Sequence, residues 1–153
     1  MIAIGHLIGG VNEVDRVRPS QGGENGRPVA AVLAVEDEAV LRVLMELSLG
    51  RAGYPFYIAA SGEEALRLWA EHRAEIGVLV TDVAMPGPVD GIELIKRLRA
   101  DCLTLRIILT TGSPGVRIPL GRNGGERPEI LVKPYESAAL VAAVQRAMAA
   151  PNP

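Results

Sequence analysis

From residue 29 onward, short apolar runs alternate with segments of helical period, and no other feature of the chain constrains its fold as strongly. Strand and helix in strict succession form βαβ units, which bury their apolar surfaces as a parallel sheet covered by helices. The strands are read at VAAVLAV (29–35), YPFYIAA (54–60), IGVLVT (76–81), LRIILTT (105–111) and EILV (129–132). After the first strand, Val40, Leu44 and Leu47 recur at spacings of four and three. They predict an inward helical face ending at Gly53, in a left-handed cap. Ser61 followed three residues later by Glu64 is a capping box, with Ala65, Leu66 and Trp69 inward and Trp69 a core residue. Asp90 is expected to cap a third helix that buries Ile92, Ile95 and Leu98. A last helix begins just after Lys133-Pro134 and presents Leu140, Val144 and Met148. Segment 112–128 holds five glycines and three prolines, so any helix between the last two strands must be short or broken.

The alternation fills residues 29–150 as one domain, with a three-residue tail at 151–153. Residues 1–28 differ in kind. They hold six of the seventeen glycines and include QGGENGRP, which reads as a linker. This stretch is expected to be a flexible leader. Its first ten residues are apolar enough to pack on a partner or a second copy, but they lack the periodicity of an element.

Composition removes several classes of function. A net charge of -2 and five aromatic residues provide neither the basic footprint nor the stacking platforms of a nucleic-acid binder. No apolar run approaches the ~20 residues that span a bilayer, and MIAIGHLIGG lacks a charged n-region. The single cysteine, Cys102, excludes an intramolecular disulfide and suits a reducing compartment. A cytoplasmic protein without direct contact to nucleic acid or membrane is expected.

In an open parallel sheet, ligands gather at the carboxyl ends of the strands, where loops splay and helix N-termini point outward. The first strand runs into Glu36 and Asp37, the third into Asp82, the fourth into Thr110 and Thr111, and the fifth into Lys133. Singly, each has a bland role: Asp37 or Thr111 as a cap, Asp82 as a loop acid, Lys133 as a solvated end. Together they put three carboxylates, a hydroxyl and an ammonium at one edge. Crowded carboxylates repel, and a divalent cation with oxygen ligands, Mg²⁺ above all, relieves the repulsion. The lysine then balances an anion. Since the chain uses fourteen arginines and two lysines, a lysine here points to a compact charge where a planar guanidinium would not fit.

These residues resemble the receiver domains of bacterial two-component response regulators. The resemblance rests on VLAVEDE, TDVAMPGPVDGIEL, LTTG and VKPY, in that order and at this spacing. It covers about residues 29–150 and implies a flavodoxin-like, doubly wound five-stranded parallel sheet in the order 2-1-3-4-5, here with a degenerate fourth helix. It implies that Asp82 accepts a phosphoryl group from the phosphohistidine of a histidine kinase or histidine phosphotransfer protein. Asp37 would bind Mg²⁺ directly, Glu36 mainly through water, Asp82 through one oxygen and Ala84 through its carbonyl. Thr111 and Lys133 would hold phosphoryl oxygens, and Lys133-Pro134 would be cis.

Two departures bear on signalling. Position 130 is Ile where many receivers carry a switching aromatic, and segment 112–128 cannot supply a regular helix. Readout is therefore expected through 112–128. A stand-alone phosphoacceptor acting by protein contact or phosphorelay on an unnamed downstream protein is the leading reading, with self-phosphorylation and autodephosphorylation as its only chemistry and no turnover of an independent substrate. The alternative is a non-phosphorylated receiver-like scaffold that binds a signalling partner. A phosphatase using Asp-x-Asp is disfavoured because Ala84 stands where the second acid belongs. Nucleotide binding is disfavoured because the first strand leads to acids and not to a glycine-rich turn.

Overall fold

A computed structural model describes residues 16–17, 29–118 and 126–150. The elements in chain order are β1 (Arg16–Val17), β2 (Ala31–Val35), α1 (Ala39–Arg51), β3 (Phe56–Ala59), α2 (Gly62–His72), β4 (Ile76–Asp82), α3 (Gly91–Asp101), β5 (Arg106–Thr111), β6 (Glu129–Val132) and α4 (Ser137–Ala149). One sheet has the order β1-β3-β2-β4-β5-β6. Its last five strands are parallel and, numbered among themselves, run 2-1-3-4-5, as expected. The leader, expected to be flexible, contributes β1, which pairs antiparallel with β3. The rest of the leader and the tail 151–153 lie outside the described residues.

The sheet divides the core in two. α2 and α3 cover one face, where Leu33, Leu79 and Leu109 meet Ala65, Leu68, Trp69, Leu94 and Leu98. α1 and α4 cover the other, where Val32, Val80 and Ile108 meet Met45, Leu49, Leu140 and Val144. Covering both faces explains why β2 and β4 read as unbroken apolar runs. Trp69 is a core residue, and its Nε1–H donates to Asp101 Oδ2 at 3.1 Å, tying α2 to the end of α3.

The local signals read at three helix ends are realised. Ser61 Oγ accepts from Glu64 N at 3.1 Å while Glu64 Oε2 accepts from Ala60 N at 2.7 Å, completing the capping box. Asp90 Oδ1 accepts from Glu93 N at 2.8 Å. Gly53 has φ +80°, the left-handed conformation that spares glycine the Cβ penalty. Leu66, Ile92 and Met148 are only partly buried; α3 turns Leu94 inward with Ile95 and Leu98.

α1 corrects the sequence reading. Val40, Leu44 and Leu47, expected inside, are 73, 53 and 47% exposed, and the buried residues are Met45, Ser48 and Leu49. This helix is apolar on two sides, so periodicity alone does not choose between them. Ser48 is accommodated inside because its hydroxyl donates to Leu44 O at 2.6 Å and meets Ser137 Oγ of α4 at 2.6 Å.

No helix follows β5 among described residues 112–118 and 126–128, and 119–125 lie outside the described residues. Val116 and Ile118 instead pack as irregular chain against the core. Ile130 and Val132 of β6 stay partly exposed on that face. No helix of the described residues is long and apolar enough to cross a membrane.

Candidate functional site

Strand pleat brings the charged residues together. Side chains alternate along a strand, and the rows Val32-Ala34, Val78-Val80 and Leu131, which enter the α1/α4 side of the core, continue at the carboxyl edge into Glu36, Asp82 and Lys133. Lys133 Nζ donates to Asp82 Oδ2 at 2.6 Å and to Glu36 Oε2 at 2.9 Å. Carboxylate oxygens of Glu36, Asp37 and Asp82 lie within 4.8 Å of one another. The three acids and the lysine read from the sequence thus share one site.

The loops are shaped to hold this cluster. Helix α1 has no side-chain cap, so Asp37 does not serve as one. Instead Arg42 Nη1 donates to Glu36 O at 2.9 Å and Asp37 O at 3.1 Å, fixing the acidic turn, and Glu38 N donates to Glu36 Oε1 at 3.1 Å. Ala84 N donates to Asp82 Oδ1 at 3.2 Å, which folds the following loop back on the carboxylate. Lys133 is carried by a cis Lys133-Pro134 bond, and its backbone N–H donates to Thr111 O at 2.7 Å.

Gly91 is a site residue whose role the sequence reading missed, although it stands in the quoted motif. Its N–H donates to Val83 O at 3.1 Å, closing the loop after Asp82. A Cβ at Gly91 would lie 1.9 Å from Asp82 O, so α3 can start against the end of β4 only with glycine there. Thr110, read at the same strand end as Thr111 but given no role of its own, also belongs to the site. It is the register partner of Asp82, which turns both side chains to the same face, and its buried Oγ1 has no hydrogen-bond partner among the described residues. Thr111, one step on, turns to the other face; its hydroxyl accepts from Ser113 N at 3.0 Å and donates to Ser113 O at 3.3 Å.

Charge and burial oppose each other here. The fully covered Glu36 carboxyl is held above its ordinary pKa, chiefly by burial, with the bonds from Lys133 and the Glu38 N–H pulling the other way. Burial acts to lower the Lys133 pKa, but its bonds to Asp82 and Glu36 outweigh it and hold the ammonium charged. Tyr135, next to the site, is pushed up to about 12 by burial and then by the negative charge of Glu36. Three carboxylates against one ammonium leave formal negative charge and oxygen donors, a set that fits a hard divalent cation.

A family model, the response regulator receiver domain, matches residues 32–145. The transcriptional regulatory protein AfsQ1 of Streptomyces coelicolor is 34% identical over 115 residues, covering 75% of this chain and 49% of the relative. Sporulation initiation phosphotransferase F of Bacillus subtilis is 32% identical over 80 residues, covering 52% of this chain and 62% of the relative. Among solved structures, chemotaxis protein CheY4 of Vibrio cholerae superposes with a TM-score of 0.68 at 30% identity, covering 78% of this chain and 98% of that one. The chain spans about half the length of AfsQ1 and of the CseB regulators it also matches.

Proposed function

The chain belongs to the response regulator receiver domain family, and from that premise we propose that Asp82 accepts a phosphoryl group from the phosphohistidine of a histidine kinase or histidine phosphotransfer protein. The observation that carries the reading is the Lys133 ammonium bridging Asp82 and Glu36 at 2.6 and 2.9 Å. It neutralises Asp82 before transfer, and after transfer it remains beside the new phosphoryl oxygens. In the step itself an Asp82 carboxylate oxygen bonds to phosphorus, the P–N bond breaks, and the imidazole nitrogen keeps its electron pair. Asp82 is then an acyl phosphate. Attack of water on phosphorus restores the carboxylate and releases inorganic phosphate.

The donor set fits Mg²⁺, which Asp37 and Asp82 would hold directly, Glu36 mainly through water and Ala84 through its carbonyl oxygen. Bound there, the cation would neutralise charge on the phosphoryl oxygens in flight. Thr111, whose hydroxyl is bonded to Ser113 on the other face of β5, would release that bond and turn toward Asp82 to donate to one of them. Downstream, the reading has the domain act by contact with another protein or by passing the phosphoryl group on, within the cytoplasm. That a relative is named a phosphotransferase supports the relay form, and independent action of this domain is part of the proposal.

Incubation with acetyl phosphate and Mg²⁺, followed by intact mass measurement, tests the reading. One phosphoryl addition that disappears in Asp82→Asn is expected. An unchanged mass overturns it and leaves the scaffold reading in its place, and an addition that persists in Asp82→Asn overturns Asp82 as the acceptor.

A further inference from the structure

Three buried side chains stand level at the carboxyl edge of the sheet. Val35 pairs with Thr81 and Asp82 pairs with Thr110, so Glu36, Asp82 and Thr110 follow one another across β2, β4 and β5, turned to the same face. Lys133 bridges the first two. The third, Thr110, is wholly buried, and its Oγ1 has no hydrogen-bond partner among the described residues. A buried hydroxyl without a partner is costly and rare, and one reason to keep it is a second state of the site in which its bond is made.

The bond it lacks lies beside it. Adjacent strands run about 4.8 Å apart, which sets the Thr110 side chain next to that of Asp82. Both Asp82 oxygens are already served: Oδ1 accepts from Ala84 N at 3.2 Å and Oδ2 from Lys133 Nζ at 2.6 Å. Lys133 follows β6, two strands from β4, so its side chain crosses β5 on this face to reach Asp82. The lysine takes the oxygen that the hydroxyl would otherwise serve.

We propose that Thr110 is a catalytic residue of dephosphorylation, its hydroxyl donating to the Asp82 carboxyl oxygen that Lys133 leaves once a phosphoryl group is in place. The inference rests on the phosphoacceptor reading above. After transfer the negative charge sits on the phosphoryl oxygens, and the ammonium follows it. Asp82 is then a neutral acyl group with Thr110 alongside. When water attacks phosphorus, the P–O bond to Asp82 breaks, its electron pair returns to the carboxylate, and the proton of the water leaves with inorganic phosphate. Negative charge thus develops on Asp82 beside a donor already in position, and a hydrogen bond to a carboxylate is stronger than one to an acyl oxygen. Thr110 therefore favours the departing carboxylate and shortens the life of the acyl phosphate.

Thr110→Val removes the hydroxyl at nearly the same shape, and Thr110→Ser keeps it. Each full chain is labelled with acetyl phosphate and Mg²⁺, freed of donor by rapid desalting, and followed by intact mass as the phosphoryl group is lost. The half-life in Thr110→Val is expected to be about 10-fold longer than in the parent, and that of Thr110→Ser to stay within about twofold of it. Before labelling, Thr110→Val should melt about 2–4 °C above the parent, because an unpaired buried hydroxyl is gone. An unchanged half-life in Thr110→Val overturns the inference, as does a longer one that comes with a lowered Tm or is shared by Thr110→Ser, since either marks a packing effect. A labelled parent with an unchanged Thr110→Val half-life leaves Asp82 as acceptor and removes Thr110 alone. A parent that is never labelled overturns the phosphoacceptor reading and this inference with it.

Discussion

Replacing Gly91 with alanine puts a Cβ 1.9 Å from the carbonyl oxygen of Asp82, where ordinary contact begins near 3.4 Å. Relief needs a displacement of about 1.5 Å, and neither side yields easily. Asp82 ends a buried central strand, and Gly91 is anchored by its bond to Val83 O. Overpacking of this kind costs about 1–3 kcal/mol, and the helix propensity that alanine gains over glycine returns at most about 1 kcal/mol. The clash wins, because its contacts are backbone atoms with no rotamer to adopt. A net loss near 2 kcal/mol lowers Tm by about 6–12 °C for a domain of this size. Moving Asp82 by an ångström relative to Lys133 is expected to slow phosphorylation by about 100-fold. Calorimetry and acetyl phosphate labelling measure the two effects, with Gly115→Ala as control, since a Cβ there meets nothing within 4 Å. A Gly91→Ala protein that melts within about 1 °C of the parent, or a control that loses as much, refutes the reasoning.

Other consequences can be checked with the same preparations. Ser61→Ala removes the acceptor for Glu64 N and is expected to cost about 1 kcal/mol in urea unfolding. Asp37→Ala removes one of three crowded carboxylates; without metal it should raise stability by on the order of 1 kcal/mol, while the Mg²⁺-induced rise in Tm shrinks. Equal Mg²⁺ responses in mutant and parent would place the cation elsewhere. Tyr135 should titrate near 12, above its ordinary value of 10. Between those values the native state holds a proton that the unfolded chain has lost, so its contribution to stability is present below the lower value and falls as pH rises. Phenolate absorbance of the parent minus Tyr135→Phe reads this directly, and a midpoint at the ordinary value would show that Tyr135 is not held in the pocket.

The sequence alone determined the parallel sheet, because strands covered on both faces must be apolar throughout and strands joined by helices must run the same way. It determined the capping box at Ser61 and the turn at Gly53, where the hydrogen-bonding partners or the φ angle are set within a few residues. It placed Glu36, Asp37, Asp82 and Lys133 at one edge, since each directly follows a strand whose end is visible in the chain. What it left open depends on partners distant in sequence. Both sides of α1 are apolar, and only contact with β3 and α4 decided that Met45 and Leu49 go inward and Val40 and Leu47 outward. The two residues of β1 carry no periodicity; they become a strand because β3 offers an open edge. Gly91 is indispensable only because the Asp82 backbone lies against it, and Thr110 faces the site only because β5 meets β4 in that register. A lysine that follows the fifth strand is legible from sequence, but its bridge to two acids 51 and 97 residues away is a product of the assembled sheet.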